Sequence, residues 1–308
     1  MKYFVGVDIG GTRLKAGLVD ETHRVYRQSV VWLSDEDKAE EPLLDRLVEL
    51  IQEVAADHDP IIVGVGVPGI VSRDQRLVLR SPNFPEVTVF DIQKRLEQRL
   101  PWHVAIDNDA NCVLTGEYLR GAAGEHRTFL GFTLGTGVGG AIFQGGHLWR
   151  GIDGMAGELG HVIVEPNGRI CGCGNRGCLE MYTSRMGFRA ALQERPIAGI
   201  APAAADMPEA LRSAAEAGDA TALEHLASAG AMLGRAIGGL VNALNFRAVV
   251  LAGGLAPLLP WMEDACRAAL AECTYPELSD ELAILGTSGE EAAGILGAAM
   301  QWKMAPHD

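Results

Sequence analysis

Tyr3–Val19 reads Y-F-V-G-V-D-I-G-G-T-R-L-K-A-G-L-V, and the architecture of the chain can be worked out from it. Tyr3–Asp8 is an almost continuous apolar run that predicts a buried strand, and Leu14–Val19 predicts a second strand. The I-G-G-T turn at 9–12 joins them. This glycine turn therefore connects two strands, unlike the strand-to-helix turn of a P-loop, whose G-K-[ST] signature is absent.

The backbone N–H groups of such a turn can form a concavity that binds an anion. We expect Gly10, Gly11 and Thr12 to contact a phosphate in this way. Asp8, at the end of the first strand, could hold Mg²⁺ through water, and Lys15 could lie near the phosphates or on the surface. The alternative is a glycine hairpin between two ordinary strands.

Residues 128–143 repeat the pattern. Thr128–Leu134 predicts a strand, G-T-G-V-G-G follows at 135–140, and Ala141–Phe143 predicts another strand. Two similar turns, one in each half, predict a duplicated fold with a phosphate between the halves. A third strand ends in A-G-G at 252–254, where an adenine ring could lie against bare backbone, or where the chain makes a plain β–α turn.

The predicted strand Trp102–Ile106 leads into D-N-D at 107–109, and a helix is predicted from Ala110. Ligands of open α/β sheets bind beyond the carboxyl ends of the strands. Asp109 is therefore our candidate general base, and Asn108 our candidate ligand for a neighbouring hydroxyl. The alternative is that an aspartate of this triplet only caps the helix. Asn83, between two prolines, could bind a hydroxyl or cap a turn.

Glu158–Glu180 reads E-L-G-H-V-I-V-E-P-N-G-R-I-C-G-C-G-N-R-G-C-L-E and holds three of the six cysteines. One histidine and three cysteines are the ligands that a closed, tetrahedral zinc site requires. Buried cysteines packed as small apolar residues are the alternative. We interpret the acids at the two ends as substrate ligands that the metal loop holds in place. The predicted metal ligands are His161, Cys171, Cys173 and Cys178.

Composition excludes several function classes. The 308 residues carry a net charge of −14, and the pI is about 5.0, which disfavours a broad surface for nucleic acid or anionic membrane. No apolar run reaches membrane-spanning length without glycine or charge, and Met1–Gly11 does not resemble an export signal. We therefore expect a cytoplasmic protein with reduced thiols.

Together these motifs resemble the ROK family of sugar kinases (repressors, unassigned reading frames and kinases), over nearly the whole chain. The resemblance implies an α/β, actin-like ATPase fold of the hexokinase type, duplicated, with two lobes and a cleft between them. The expected lobes are residues 1–120, joined by the C-terminal helix 290–308, and residues 121–289. The motifs that carry the resemblance are D-I-G-G-T-R-L-K at 8–15, G-V-P-G at 66–69, N-D-A-N at 108–111, L-G-T-G-V-G-G at 134–140, the cysteine stretch at 158–180 and A-G-G at 252–254.

The resemblance also implies a role for each matching residue. The catalytic base falls on Asp109, and His161 is shared, with one ring nitrogen on zinc and the other toward a sugar hydroxyl. The implied sugar ligands are Asn83, Asn108, Asp109, Glu158, His161 and Glu180. The implied phosphate contacts are Gly10, Gly11, Thr12, Gly135 and Thr136, and the implied adenosine contacts are Gly253 and Gly254. Asp8, Lys15 and Gly137 complete our candidate nucleotide-binding residues.

The implied activity is transfer of the γ-phosphate of Mg-ATP to the primary 6-hydroxyl of a hexose, and glucose is the expected substrate. The implied assembly is a homodimer. An N-acetylhexosamine or another hexose is the alternative substrate. A sugar-responsive repressor is the alternative outside the enzyme class. Against it, the first predicted strand begins within a few residues of Met1, which leaves no room for the helix-turn-helix of those repressors, and the negative charge disfavours DNA.

Overall fold

The computed structural model describes residues 1–72, 74–81, 89–287 and 292–304. Within these ranges the chain forms two five-stranded sheets with helices between their strands, which is the predicted α/β class. The strands are β1 (Tyr3–Ile9), β2 (Arg13–Asp20), β3 (Val25–Trp32), β4 (Ile62–Val67), β5 (Ile70–Val71), β6 (Val78–Arg80), β7 (His103–Asn108), β8 (Phe129–Leu134), β9 (Val138–Gln144), β10 (His147–Leu148), β11 (Ala248–Ala252) and β12 (Ala283–Gly286). The helices are α1 (Glu40–Ala55), α2 (Ile92–Glu97), α3 (Asp109–Arg120), α4 (Glu180–Thr183), α5 (Arg185–Glu194), α6 (Met207–Glu216), α7 (Ala220–Leu244), α8 (Glu263–Cys273), α9 (Pro276–Ser279) and α10 (Ala293–Met300).

The first sheet has the strand order β3-β2-β1-β4-β7. β1 pairs antiparallel with β2 and parallel with β4, and β4 pairs parallel with β7. The central strands are buried on both faces, which is why Tyr3–Ile9 and Ile62–Val67 are continuous apolar runs. One face of this sheet packs against α1 through Leu44, Leu47 and Ile51, which are fully buried.

The other face of the first sheet receives α10 at very short range. A Cβ atom on Gly6 would lie 1.9 Å from the carbonyl oxygen of Ile295, and one on Gly64 would lie 1.7 Å from that of Ala298. Both distances are far inside van der Waals contact, so only glycine lets the backbone of α10 approach the two strands. This explains why glycines interrupt two strands that are otherwise rich in large apolar residues.

The second sheet has the order β10-β9-β8-β11-β12. β8 pairs parallel with β11, and β11 pairs parallel with β12. The two sheets therefore share one arrangement, in which the first strand of each, β1 or β8, lies between a hairpin partner and a parallel neighbour. This shared order agrees with the duplication predicted from the two glycine turns.

The chain divides into two compact units, and residues 141–157 belong to the first. The first unit comprises Met1–Arg127, Ala141–Gly157 and the C-terminal segment from Ser288, and the second comprises Thr128–Gly140 and Glu158–Thr287. Among the described residues, no helix combines the length and the apolar character needed to cross a lipid bilayer.

Candidate active site

In the first unit, three parallel strands bring polar residues to one edge of the sheet. The register places Asp8 of β1 opposite Gly66 of β4, and Gly66 opposite Asp107 of β7. The carboxyl ends of these strands therefore carry the residues that the sequence placed at a ligand-binding edge.

Asn108 caps the helix that begins with Asp109. Its Oδ1 atom accepts hydrogen bonds from the backbone N–H groups of Ala110 (2.9 Å) and Asn111 (3.1 Å), and its Nδ2 atom donates to the carbonyl oxygen of Gly69 (2.9 Å). The N-cap is thus Asn108, because it directly precedes the first helical residue, Asp109, has an extended backbone and accepts from the N–H groups of the second and third helical residues. Asp109 is the first residue of α3, where a negative charge is stabilised by the helix dipole.

Asp107, which precedes the cap, is buried. Its side chain is 2% exposed and forms an ion pair with Arg150, which is 16% exposed. Sequence reasoning missed Arg150, because one arginine after an apolar strand usually lies on the surface. Asn83, a predicted sugar ligand, lies outside the described residues.

Asp8 is half-buried and faces Lys15 across the β1–β2 pair. Burial raises the pKa of this carboxyl, and the positive charges of Lys15 and Arg13 offset part of the rise. A carboxylate held away from water gains much from a cation, and Mg²⁺ prefers oxygen ligands, so Asp8 fits a magnesium site. Helix α10 crowds this carboxylate, since a Cβ on Gly294 would lie 3.0 Å from its Cγ.

The turn at 9–12 is closed by its own backbone. The N–H of Gly10 donates to the carbonyl oxygen of Arg13 (2.9 Å), and this bond holds the β1–β2 hairpin. Within the described chain, the amides of Gly11 and Thr12 make no such bond, so these two are the better candidates for phosphate donors.

The second unit carries two glycine turns side by side. Gly135 donates to the carbonyl oxygen of Gly137 (3.0 Å), and Leu255, just after the A-G-G segment, donates to that of Leu134 (3.0 Å). Gly253 has φ of 95°, and a Cβ there would lie 2.4 Å from the Leu134 oxygen, so the position requires glycine. The two turns follow the parallel strands β8 and β11, which brings the predicted phosphate-side residues next to the predicted adenosine-side residues.

The second unit also gathers four metal-ligand atoms. The donor atoms of His161, Cys171, Cys173 and Cys178 all lie within 4.8 Å of one another. The Cys173 and Cys178 sulfurs are 3.6 Å apart, and His161 Nδ1 is 3.6 Å from the Cys171 sulfur. Ideal tetrahedral zinc with its usual bond lengths places two sulfurs about 3.8 Å apart, so the four residues could hold a zinc ion.

Two carboxylates lie beside this cluster. Glu158 Oε2 is 3.8 Å from His161 Nε2, the ring nitrogen that does not face the cysteines. Glu180 Oε1 is 3.5 Å from the Cys171 sulfur, and Glu180 Oε2 accepts a hydrogen bond from the N–H of Val138 (3.0 Å). Burial raises the pKa of Glu158; His161 offsets part of the rise, and the charge of Glu180 adds to it. Three predicted sugar ligands therefore cluster on one loop.

Comparison with known proteins identifies the chain. The family model described as the ROK family matches residues 4–305. The chain belongs to the ROK family. A glucokinase of Thermotoga maritima is 34% identical over 305 residues, which cover 96% of this chain and 95% of that protein. An N-acetyl-D-glucosamine kinase of Photobacterium profundum is 33% identical over 267 residues, 82% of this chain and 84% of that protein.

A solved structure agrees with this assignment. The ROK family glucokinase of Streptomyces griseus, crystallised in complex with glucose and AMPPNP, superposes with a TM-score of 0.83 at 30% identity, over 97% of this chain and 98% of that one. The predicted actin-like ATPase fold is thereby confirmed.

Arg169 stabilises the 158–180 loop of this ROK protein, a role that the sequence did not predict. Its guanidinium donates to the carbonyl oxygens of Met181 (2.9 Å) and Gly187 (3.3 Å) and to the carboxylate of Glu194 (2.7 Å), and it lies 5.1 Å from the centre of the Tyr182 ring. It thus ties the loop to α4 and α5. No sequence signal marks it, because its role depends on which helices pack beside the loop.

Proposed function

We propose that the protein transfers the γ-phosphate of ATP to the primary 6-hydroxyl of a hexose, with glucose as the preferred substrate. The structural observation that carries this proposal is the cluster of Glu158, His161 and Glu180 on the 158–180 loop, which also holds the four candidate metal ligands. Carboxylates and an imidazole at this spacing can each hydrogen-bond a different hydroxyl of one sugar ring. The match to a glucokinase over nearly the whole of both chains supports the same activity.

Asp109 accepts the proton of the attacking hydroxyl. A carboxylate is a weak base for an alcohol, but the transition state of phosphoryl transfer is loose, so the proton can leave late. Most of the acceleration then comes from positioning and from stabilisation of charge. The amides of Gly11, Thr12 and Thr136 donate to phosphate oxygens. Mg²⁺, held near Asp8, would neutralise charge on those oxygens.

The zinc ion that the His-Cys₃ group could hold has an orienting role. His161, Cys171, Cys173 and Cys178 would supply all four ligands of a tetrahedral site, which would leave no position for a reacting water or substrate. His161 would use Nδ1 for the metal and keep Nε2 for the sugar and Glu158. Bound in this way, His161 would keep one ring plane and one tautomer toward the sugar.

A phosphorylation screen tests the proposal. The purified protein with ATP and Mg²⁺ is offered glucose, fructose, mannose, allose, N-acetylglucosamine and N-acetylmannosamine, and release of ADP is measured. The highest kcat/KM is expected with glucose, and hydrolysis of ATP without sugar should be slow, because closure around the substrates excludes water. Absence of sugar-dependent ADP release would overturn the proposal.

The second candidate function is an N-acetylhexosamine kinase, which the relative from Photobacterium profundum favours. The same screen separates the two, since the ratio of kcat/KM values measures differential transition-state binding. We also propose a homodimer that acts in the cytoplasm. Light scattering at micromolar concentration should give twice the 32.8 kDa mass of the chain.

A further inference from the structure

The ion pair between Asp107 and Arg150 lies at the centre of a hydrogen-bond network. Arg150 Nη1 donates to Asp107 Oδ1 (2.8 Å) and Arg150 Nη2 donates to Oδ2 (2.5 Å), so the two planar groups meet through two parallel bonds. With its amide oxygen turned toward the guanidinium, Gln75 accepts from both terminal nitrogens at 2.9 Å. Arg150 is thus fixed on two sides.

The same carboxylate holds the start of the catalytic helix. Asp107 Oδ1 also accepts from the backbone N–H of Asn108 (2.8 Å) and from Asn111 Nδ2 (2.9 Å). Asn108 in turn caps α3 and is bonded to Gly69, as described above. Asn108 and Asn111 are therefore bonded directly to the carboxylate that Arg150 orients, and the N–H of Ala110 is bonded to it through Asn108.

We propose that Arg150 is a positioning residue for the general base, an inference that rests on the proposed function. Arg150 would act on Asp109 through the helix cap, because Asp107 bonds the capping residue Asn108 and Asp109 follows it as the first residue of α3. A buried carboxylate without a partner would turn toward water or toward other donors. Arg150 prevents this, since its rigid fork matches both carboxylate oxygens, a geometry that lysine cannot reproduce.

Arg150→Met tests the proposal, with Arg127→Met as the matched control. Arg127 also anchors the 141–157 segment, by donating to the carbonyl oxygen of Gly145 (2.9 Å), and among the hydrogen bonds of the described residues none joins it to Asp107. A misplacement near 1 Å can reduce a rate by about 10²-fold. We therefore expect kcat of Arg150→Met to fall by roughly 10- to 100-fold with a sugar KM close to wild type, whereas Arg127→Met keeps its kcat.

Two further variants separate positioning from folding. Arg150→Lys keeps the charge but loses the fork, so its thermal midpoint should stay near wild type while kcat still falls. The double variant Asp107→Asn/Arg150→Met removes the buried charge together with its partner and should fold even if the single variant does not, again with reduced kcat. Wild-type kcat in either variant overturns the proposal.

Hydrogen exchange gives a readout that does not depend on the substrate. In Arg150→Met, the amides of Ala110 and Asn111 should exchange at least about tenfold faster than in wild type and in Arg127→Met, because the cap is loosened. Unchanged exchange at these amides overturns the positioning role. If the wild-type protein phosphorylated none of the sugars, the proposed function would fail. The difference in amide exchange between Arg150→Met and Arg127→Met would still decide whether Arg150 positions the start of α3.

Discussion

Glu180 joins the 158–180 loop to the turn at 135–138, so its replacement should have two separable effects. Oε2 accepts the N–H of Val138 at 3.0 Å, and a Cβ on Gly137 would lie 2.3 Å from the same oxygen. The carboxylate therefore rests directly on the turn at 135–138. The same carboxylate is also a proposed sugar ligand.

The magnitudes follow from the type of contact. A hydrogen bond to a charged group contributes about 1.5–3 kcal/mol, so Glu180→Gln should raise the sugar KM by roughly 10- to 150-fold. Glutamine still offers an oxygen to Val138, and the ATP KM should stay near wild type. Glu180→Ala removes that acceptor as well, which leaves a backbone donor unpaired at a cost of about 1–3 kcal/mol. Its ATP KM should rise and its thermal midpoint should fall.

Steady-state kinetics with glucose and ATP varied independently check this, together with thermal unfolding of each variant. The two variants should share the defect in sugar KM and differ in ATP KM. Equal ATP KM values for Glu180→Gln and Glu180→Ala, both near wild type, would refute the claim that Glu180 holds the turn at 135–138 in its ATP-binding conformation. A normal sugar KM in both variants would remove Glu180 from the sugar site.

Three further predictions concern the base, the buried carboxylate and the metal. Asp109→Asn should lower kcat by about 10²- to 10⁴-fold with glucose affinity nearly unchanged, whereas Asp219→Asn at the start of α7 should keep kcat; full turnover by Asp109→Asn would discard the base. Burial raises the pKa of Asp8, so its ionised form is costly at pH 7 and the cost vanishes below pH 3.8. Asp8→Asn should thus raise the free energy of unfolding at pH 7 and leave it nearly unchanged at pH 3, as denaturant titrations can show; a gain at pH 3 that is lost at pH 7 would contradict this reasoning. Cys173→Ser should lose zinc by elemental analysis and raise the sugar KM, while Cys273→Ser, outside the cluster, should do neither; an unchanged KM in the metal-free variant would exclude an orienting role.

The elements that the sequence predicts well are those whose pattern is local. The strand at Tyr3–Ile9 and the 25-residue helix α7 follow from apolar periodicity, and the His-Cys₃ group follows from an unusual clustering of ligands. β12 was not predicted, because Ala283–Gly286 is short and only half-buried. Its place in the sheet depends on the parallel pairing with β11, which no local signal specifies.

The site was less predictable where three-dimensional packing decides the role of a residue. In D-N-D at 107–109, residue types alone allow a cap at an aspartate, and the register of β7 determines that Asn108 caps while Asp107 is buried. Arg150 and Arg169 are far in sequence from the residues that they contact. Arg150, for example, is 43 positions from Asp107. Their partners exist only once the chain has folded.

The most direct test of the central claim is a crystal structure with glucose and AMPPNP bound. The sugar's O6 atom should lie about 2.6–3.2 Å from a carboxylate oxygen of Asp109, while other hydroxyls of the same ring contact Glu158 and His161. A glucose molecule whose O6 lies beyond hydrogen-bond reach of Asp109, or that makes no contact with the 158–180 loop, would contradict the account.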